Sequence, residues 1–305
     1  HKRKLGYTAL PNTENSIALI KKNKRPTEAR QSQRKHAYGR DSEMPQQLDN
    51  RIMSKQKRYI LQENDLPKQW YNILADMPNK PLPPLNPATK KPVSVDDLAH
   101  IFAKACAEQE LDTQNAWIDI PEEVQEKYKY YRSTPLVRAY ALEEALQTPA
   151  HIYFKNESVN PLGSHKVNSA LPQCYYCKQE GVTNVTTETG AGQWGAALSY
   201  AASVYGLSAA VYQVKISMQQ KPYRSLVMRT FGAAVTGSPS MSTRAGKNII
   251  TRDPMHQGSL GTAISEAVEL ATTTPNCKYT LGSVLNHVTL HQTVIGLEAE
   301  KQMAL

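Results

Sequence analysis

From residue 138 to its end, the sequence alternates strand-like and helical segments, and this alternation constrains the fold more than any other feature. The predicted strands cover residues 151–155, 182–187, 208–215, 233–236 and 278–282. The predicted helices cover residues 139–147, 165–179, 193–205, 221–231, 260–271 and 293–304, and three of them stop at a glycine. Such alternation with short loops is typical of a parallel sheet with helices on both faces, so an α/β fold is predicted.

The region before this alternation divides into two parts. Residues 1–52 are polar and basic without helical or strand periodicity, which predicts a disordered basic extension; a transit peptide is the alternative. Residues 53–137 are predicted to form an N-terminal arm and helices that pack on the core. Within them, Ser94 and Asp97 predict a capping box before an amphipathic helix, the prolines of residues 77–92 predict an extended stretch, and residues 121–130 predict a short helix.

The basic charge belongs to the start of the chain. The formal net charge of the 305 residues is +9. Residues 1–40 contain eleven Lys or Arg against two Asp or Glu, and the rest of the chain is balanced. Because a nucleic-acid-binding protein usually carries its basic patch on the folded domain, no nucleic-acid partner is predicted.

Cysteine content and hydropathy indicate the compartment. Four cysteines in a chain of this length indicate a reducing, cytoplasmic environment. Cys174 and Cys177 form a C-x-x-C within a helical pattern and lack a second ligand pair, so they are interpreted as ordinary buried thiols. No segment approaches the ~18 apolar residues of a membrane span, and no membrane partner is predicted.

Two residues in the α/β part suggest a chemistry. Lys166 follows a Pro-Leu-Gly-Ser-His loop, and Glu188 follows a strand-like run and precedes the glycine-rich residues 190–192. A lysine that binds an aldehyde cofactor needs a fixed position and surroundings that keep its amine neutral. Backbone N–H groups at a helix N-terminus suit a phosphate or carboxylate, and His165 is placed to contact an anion. Together these features outline a pyridoxal-phosphate site.

Other candidates carry less information. Lys215, residues 220–224 and residues 256–258 lie near predicted strand ends and are candidate substrate loops. His287 and His291 are four residues apart but lack a third ligand, so no metal site is predicted.

Six segments resemble tryptophan synthase β chains. They are N-P-L-G-S-H-K-V-N (160–168), T-E-T-G-A-G-Q-W-G (187–195), Q-V-K-I-S-M-Q-Q-K-P-Y-R (213–224), G-S-P-S (237–240), G-S-L-G-T-A-I-S-E-A-V-E (258–269) and L-G-S-V-L-N-H-V-T-L-H-Q-T-V-I-G (281–296). Trp194 stands where the common β chains carry His. In this position the sequence resembles the divergent second β-chain group. The resemblance covers about residues 55–305 and implies a fold-type II pyridoxal-phosphate enzyme of two domains.

The resemblance also implies roles for single residues. Lys166 would bind pyridoxal 5'-phosphate covalently and shuttle the substrate α-proton, and His165 and Asn168 would contact the cofactor. Glu188 would be the acid/base that helps the serine hydroxyl leave and steadies charge on indole. The substrate carboxylate would be bound by the loop of Thr189, Gly190, Ala191, Gly192 and Gln193, with Gln193 also near the cofactor.

The implied reaction condenses L-serine or O-phosphoserine with indole to L-tryptophan, the last step of tryptophan biosynthesis, in a homodimer that is a candidate partner of an α subunit. Residues 138–305 would form the cofactor-binding region, with a mobile communication region at about 190–290. In the family, a glycine-rich phosphate loop and most of the C-terminal domain follow Gly296. We therefore expect this chain to be a C-terminally truncated fragment with an incomplete second domain, inactive alone.

Two alternatives stay open. One is a serine/threonine dehydratase or a cysteine-synthase-like lyase of the same fold, although those enzymes favour an Asn loop without the glutamate at 188. The other is a non-catalytic fragment whose basic tail binds nucleic acid. In that case nucleic-acid binding would be salt-sensitive and would be lost on deletion of residues 1–52.

Overall fold

The computed structural model describes residues 55–305, and the predicted extension over residues 1–52 lies outside them. The strands are β1 (Arg58–Tyr59), β2 (Gln69–Tyr71), β3 (Trp117–Asp119), β4 (Leu136–Arg138), β5 (Tyr153–Lys155), β6 (Asn184–Thr189), β7 (Ser208–Val214), β8 (Ala234–Ser238) and β9 (Cys277–Tyr279). The α-helices are α1 (Ile73–Asp76), α2 (Val95–Ala99), α3 (Lys104–Leu111), α4 (Glu122–Lys129), α5 (Tyr140–Ala145), α6 (Val167–Gln179), α7 (Gln193–Tyr205), α8 (Lys215–Gln220), α9 (Pro222–Thr230), α10 (Arg244–Arg252), α11 (Leu260–Thr273) and α12 (Asn286–Met303).

The central feature is a four-stranded parallel sheet with the order β8-β7-β6-β9. The register pairs Thr189 with Gln213 across β6 and β7, and Thr186 with Tyr279 across β6 and β9. Although β6 comes first in the chain, it lies inside the sheet, with β7 on one side and β9 on the other. The chain steps from β6 to β7 and β8 on one side and then crosses back to β9 on the other side of β6, so a crevice opens at the carboxyl ends of β6 and β9.

Alternate side chains of the strands face different helices. A methyl group at Gly195 in α7 would lie 2.9 Å from Val211 Cγ1, so Val211 faces α7. The neighbouring Tyr212 points the other way, where its hydroxyl meets Ser242 near Glu266 of α11. Alternation of this kind buries both faces of the sheet, with α6, α7 and α9 on one side and α10 and α11 on the other. The predicted α/β fold is confirmed.

The prediction that segment 151–155 joins the parallel sheet is wrong. The segment forms β5, which pairs antiparallel with β4 in a separate sheet of order β1-β4-β5 instead of joining the parallel sheet. The register pairs Leu136 with Lys155 and Arg138 with Tyr153. Antiparallel pairing of neighbouring strands needs no crossover across a sheet face, and the short α5 suffices as the connection.

The predicted helices are largely present, but α1 and α8 are not predicted from the sequence, and three further differences occur. The Ser94–Asp97 capping box is present, with the Ser94 N–H donating to Asp97 Oδ2 at 2.9 Å. The apolar stripe that follows belongs to two helices, because α2 ends at Ala99 and α3 begins at Lys104. Helix α10 is not predicted from the sequence, and α12 begins at Asn286, seven positions before the predicted residue 293.

The first turns of α12 lack the apolar periodicity that marks a helix. His287 and His291 are buried there, and three of their four ring nitrogens have protein partners, whereas His287 Nε2 has none among the described residues. His287 Nδ1 lies 2.9 Å from Glu110 Oε2, and His291 Nδ1 lies 3.1 Å from Ser169 Oγ. Since buried polar groups replace apolar ones on the inner face, the sequence pattern hides this part of the helix.

Candidate functional site

A cavity of about 150 Å³ lies in the crevice at the carboxyl ends of β6 and β9. Its wall comes from the starts of α6, α7 and α11 and from the residues after β9. The residues that line it are Lys166, Glu188, Thr189, Gly190, Ala191, Gln193, Trp194, Leu260, Gly282 and Ser283. The position agrees with the general rule that open α/β sheets bind ligands where the strand order reverses.

Lys166 is the N-cap residue of α6 and brings a half-buried amine to this cavity. Its Nζ donates to the carbonyl oxygen of Gly282 at 3.1 Å. Partial burial lowers the pKa of Lys166, and the nearby carboxylate of Glu188 opposes this only in part. Burial disfavours the ammonium form, so the amine becomes neutral, and nucleophilic, more easily than a surface lysine.

Glu188 lies within β6, one residue before its end. Its side chain is buried, and its Oε2 accepts a hydrogen bond from the hydroxyl of Tyr279 in β9. Burial raises the pKa of Glu188 to about 6, against the lowering effects of the Tyr279 hydroxyl and the Lys166 charge. A carboxyl group with this pKa can both accept and donate a proton near neutral pH.

The loop between β6 and α7 depends on a glycine. Gly192 has φ +97°, and a methyl group there would lie 2.6 Å from Arg224 Cβ. The Thr189 hydroxyl accepts from the N–H of Gly195 at 3.2 Å, which closes the turn. The N-cap residue, Gly192, has no side chain that could cap α7. The amides of Gln193 and Trp194, at the start of this 13-residue helix, are therefore suited to hold an anionic group.

Trp194 forms a fixed, largely apolar part of the cavity wall. Its Nε1 donates to Thr187 Oγ1 at 2.6 Å, and that hydroxyl donates to the carbonyl of Thr280 at 2.6 Å. A methyl group at Gly282 would lie 2.4 Å from Cδ2 of the indole. The ring therefore packs directly on the Gly282 backbone, and only glycine fits at that position.

Gln173 holds the backbone beside Lys166. Its Nε2 donates to the carbonyl of Leu281 at 2.9 Å, and its Oε1 accepts from the Leu281 N–H at 3.1 Å. The side chain is buried in α6. This two-point hydrogen bonding fixes the peptide next to Gly282, whose carbonyl receives the Lys166 amine.

Comparison with known proteins identifies the family. The model of the family described as pyridoxal-phosphate dependent enzyme matches residues 128–304. The chain belongs to this family. The predicted cofactor, pyridoxal phosphate, is thereby confirmed, and the cavity contains the lysine that covalent attachment of such an aldehyde requires.

Three curated relatives of this pyridoxal-phosphate dependent enzyme carry the name tryptophan synthase beta chain 2. The chain is 56% identical over 245 residues to the tryptophan synthase beta chain 2 of Thermotoga maritima, covering 80% of this chain and 58% of the relative. It is 53% identical to the protein of that name from Aquifex aeolicus, and the alignment covers 81% of this chain and 57% of the relative. For the protein of that name from Aeropyrum pernix the identity is 54%, and the alignment covers 80% of this chain and 55% of the relative. The chain thus spans between half and two thirds of the length of each relative.

The predicted site residues of the enzyme separate into two groups. Six of them line the cavity: Lys166, Glu188, Thr189, Gly190, Ala191 and Gln193. Gly192 is buried and His165 is exposed, and neither residue lines the cavity. The weaker candidates, Lys215 and residues 220–224 and 256–258, do not line it either.

Asn168 points away from the cavity. Its Oδ1 accepts from Arg132 Nη1 at 2.8 Å and from the Tyr131 hydroxyl at 2.9 Å. Its Nδ2 donates to Glu157 Oε2 at 3.1 Å and to Gln292 Oε1 at 3.2 Å. Because the amide of Asn168 is already satisfied by protein groups, its contribution at this position is to hold the first turn of α6 and not to line the cavity.

The sequence reasoning misses Tyr279 and Gln173. Within residues 55–305 no group of three or more His, Cys, Asp or Glu side chains is arranged to hold a metal ion. All four cysteines are buried and free, which agrees with the prediction made for Cys174 and Cys177, and burial raises the pKa of these two thiols. No helix in the same range is long and apolar enough to cross a membrane.

Proposed function

We propose that the protein catalyses the pyridoxal-phosphate-dependent condensation of L-serine or O-phosphoserine with indole to form L-tryptophan. The observation that carries the proposal is the presence of Lys166 and Glu188 on one cavity, at the switch point of the sheet. The name that the curated relatives share, tryptophan synthase beta chain 2, supports the choice of reaction.

Lys166 would hold the cofactor and move the substrate α-proton. Its lowered pKa makes a neutral amine available, and the Gly282 carbonyl keeps Nζ at the cavity wall. When bound, pyridoxal phosphate supplies an electron sink for the substrate α-carbon. The protein contributes the position of the amine, which Gln173 stabilises through the Leu281 backbone.

Glu188 would move the proton at the serine hydroxyl and at the indole nitrogen. The departing hydroxyl needs a proton, and indole needs a nearby negative charge as its ring becomes electron-poor. A carboxyl group whose pKa is about 6 can serve both needs near neutral pH. The amides of the 189–193 loop would hold the substrate carboxylate at the N-terminus of α7.

The first test separates cofactor binding from turnover. We expect Lys166→Ala to abolish the visible absorbance that the chain acquires with pyridoxal phosphate. Glu188→Gln should keep that absorbance and reduce tryptophan formation by roughly 10²–10⁴-fold, because it removes an acid/base and leaves the lysine. The measurements are absorbance titration with the cofactor and tryptophan production from serine and indole.

Controls decide between the alternatives. The Thermotoga maritima relative serves as the positive control. Turnover is measured for the 305-residue chain and for a chimera. The chimera joins this chain to the part of the Thermotoga maritima relative that lies outside the matched region. Production of pyruvate and ammonia without tryptophan in the chimera would instead favour a dehydratase. Unchanged absorbance in Lys166→Ala would refute the assignment of the cofactor lysine.

Further expectations remain part of the proposal. We propose a cytoplasmic homodimer, with an α subunit as a candidate partner, and a mobile communication region at about residues 190–290. We also propose that the 305-residue chain alone is inactive. Light scattering tests the oligomeric state, and robust turnover by the 305-residue chain would contradict the last expectation.

A further inference from the structure

We propose that Tyr279 is a positioning residue for Glu188: its hydroxyl holds Oε2 of the carboxylate and assigns proton transfer to Oε1. The role in proton transfer rests on the proposed function, whereas the hold on Oε2 is a property of the folded chain. The described contacts of Tyr279 support it in three steps.

First, the phenol of Tyr279 is itself fixed. The residue ends β9 and is buried, and its backbone N–H donates to the carbonyl of Ile101 at 2.8 Å. Its ring packs against Phe102 with 5.7 Å between the ring centroids. A buried ring held by its backbone and by an aromatic neighbour has little rotamer freedom, so its hydroxyl provides a stable reference point.

Second, the register of the sheet brings the hydroxyl to Glu188. Tyr279 pairs with Thr186 in the parallel β6–β9 ladder, so Glu188 lies two residues further towards the carboxyl ends. Side chains two residues apart lie on the same face of a strand, so the phenol reaches along this face to the carboxylate. The Tyr279 hydroxyl donates to Glu188 Oε2 there.

Third, few groups act on this carboxylate. Among the residues that the structure describes, Tyr279 faces it from β9, Lys166 faces it from the start of α6, and Thr187 adjoins it on β6. All three, together with the backbone N–H of Glu188 itself, stabilise the carboxylate form against the effect of burial. The hydroxyl of Tyr279 is thus one of the four groups that keep Glu188 ionised near neutral pH.

The sign of the expected change follows from the donor. A hydrogen bond to the ionised carboxylate lowers its pKa, so removal of the hydroxyl must raise it. In Tyr279→Phe we expect the midpoint of the Glu188 titration to move upwards by about one pH unit. The matched control is Tyr212→Phe, because Tyr212 pairs with Glu188 across β6 and β7 but directs its hydroxyl towards Ser242.

The titration is read without cofactor or turnover. Infrared absorption of the protonated carboxyl group is followed against pH in the 305-residue chain, and the Glu188 band is identified by its loss in Glu188→Gln. The proposal predicts a midpoint of about 6 in the parent chain and in Tyr212→Phe, and a higher one in Tyr279→Phe. Equal midpoints in all three chains would overturn it.

A second measurement needs no change at Tyr279. With tyrosine labelled by ¹³C at Cζ, one tyrosine signal of the parent chain should follow the Glu188 titration. That pH dependence should vanish in Glu188→Gln. Absence of any such signal in the parent chain would also overturn the proposal, whether or not Tyr279→Phe folds.

Activity then separates this proposal from the proposed function. In an active chimera, the acidic limb of the pH–rate profile should move to higher pH in Tyr279→Phe, while Tyr212→Phe leaves it in place. If the titration shifts but no tryptophan is formed by any chain, the hold of Tyr279 on Glu188 stands and the proposed reaction fails.

Discussion

Glu188 shows how a reactive side chain works against stability. Its pKa of about 6 lies above the ordinary value of 4.5, so the folded chain binds the proton more tightly than the unfolded chain. The contribution of Glu188 to the free energy of unfolding is therefore highest below pH 4.5 and falls as the pH rises through 6. The loss amounts to about 2 kcal/mol, since each pKa unit corresponds to ~1.4 kcal/mol.

Glu188→Gln should remove this loss. The amide carries no charge and still offers an oxygen to Tyr279. The free energy of unfolding of Glu188→Gln minus that of the parent should therefore be about 2 kcal/mol larger at pH 8 than at pH 4. Urea unfolding at both pH values measures the gain. Glu143→Gln provides the opposite case, because the guanidinium of Arg138 lowers the pKa of Glu143. A constant difference between parent and Glu188→Gln across this range would contradict the expectation.

At the residue scale, the sequence predicts the groups that carry chemistry better than those that hold them. Lys166 and Glu188 stand beside glycine-rich loops, which a reader of the sequence can recognise. Tyr279 is 91 residues from Glu188, and Gln173 is 108 residues from Leu281. No local pattern relates such positions, although a glutamine on the apolar face of a predicted helix is a signal that could have found Gln173.

At the scale of single elements, the seating of α7 on the sheet depends on Gly195. A methyl group there would lie 2.5 Å from Met228 Sδ and 2.9 Å from Val211 Cγ1. We expect Gly195→Ala to lower the free energy of unfolding by about 1–3 kcal/mol, because the core must shift to admit the methyl group. Thermal or urea unfolding gives the value.

Gly296 in α12 is the matched control for Gly195. It is also a helical glycine, but a methyl group there meets no atom within 4 Å. Gly296→Ala should therefore stabilise the protein by about 0.5–1 kcal/mol through helix propensity alone. If both variants were stabilised, the inference that α7 packs too closely on the sheet to admit a methyl group at Gly195 would be wrong.

The order of elements follows from the sequence more reliably than their partners. The alternation correctly predicts β6, β7 and β8 and the helices α7 and α9, because apolar period and glycine stops are local signals. The same signals place β5 in the parallel sheet, which is wrong, since a strand of three residues carries no information on which neighbour it pairs with. Helix α10 begins within a segment rich in Ser, Thr and Gly, which reads as a loop.

At the scale of the whole molecule, a buried ionic cluster joins distant parts of the chain. Arg132 forms a two-point ion pair with Glu298 of α12, and Lys155 at the end of β5 binds the same carboxylate. The side chains of Arg132 and Glu298 are both 0% exposed. Burial lowers the pKa of Lys155, which Glu298 opposes.

Glu298→Gln should cost about 3–5 kcal/mol, since it leaves two buried cations without their common partner. Chemical unfolding of the 305-residue chain measures this loss. The exposed pair Lys104–Glu108, with side chains 62% and 56% exposed, is the control, and Glu108→Gln should change stability by less than ~1 kcal/mol. If both variants changed the free energy of unfolding by similarly small amounts, the buried ionic cluster would contribute little to stability.

The packing of Trp194 against Gly282 also has an optical consequence. The chain contains three tryptophans, and this one alone among Trp70, Trp117 and Trp194 borders the cavity. Its indole is buried and hydrogen-bonded, so its emission reflects one environment and not an average of several. A bound chromophore that absorbs where indole emits would quench it by energy transfer at contact range. The protein thus carries a built-in fluorescent reporter of whatever enters the space beside Lys166.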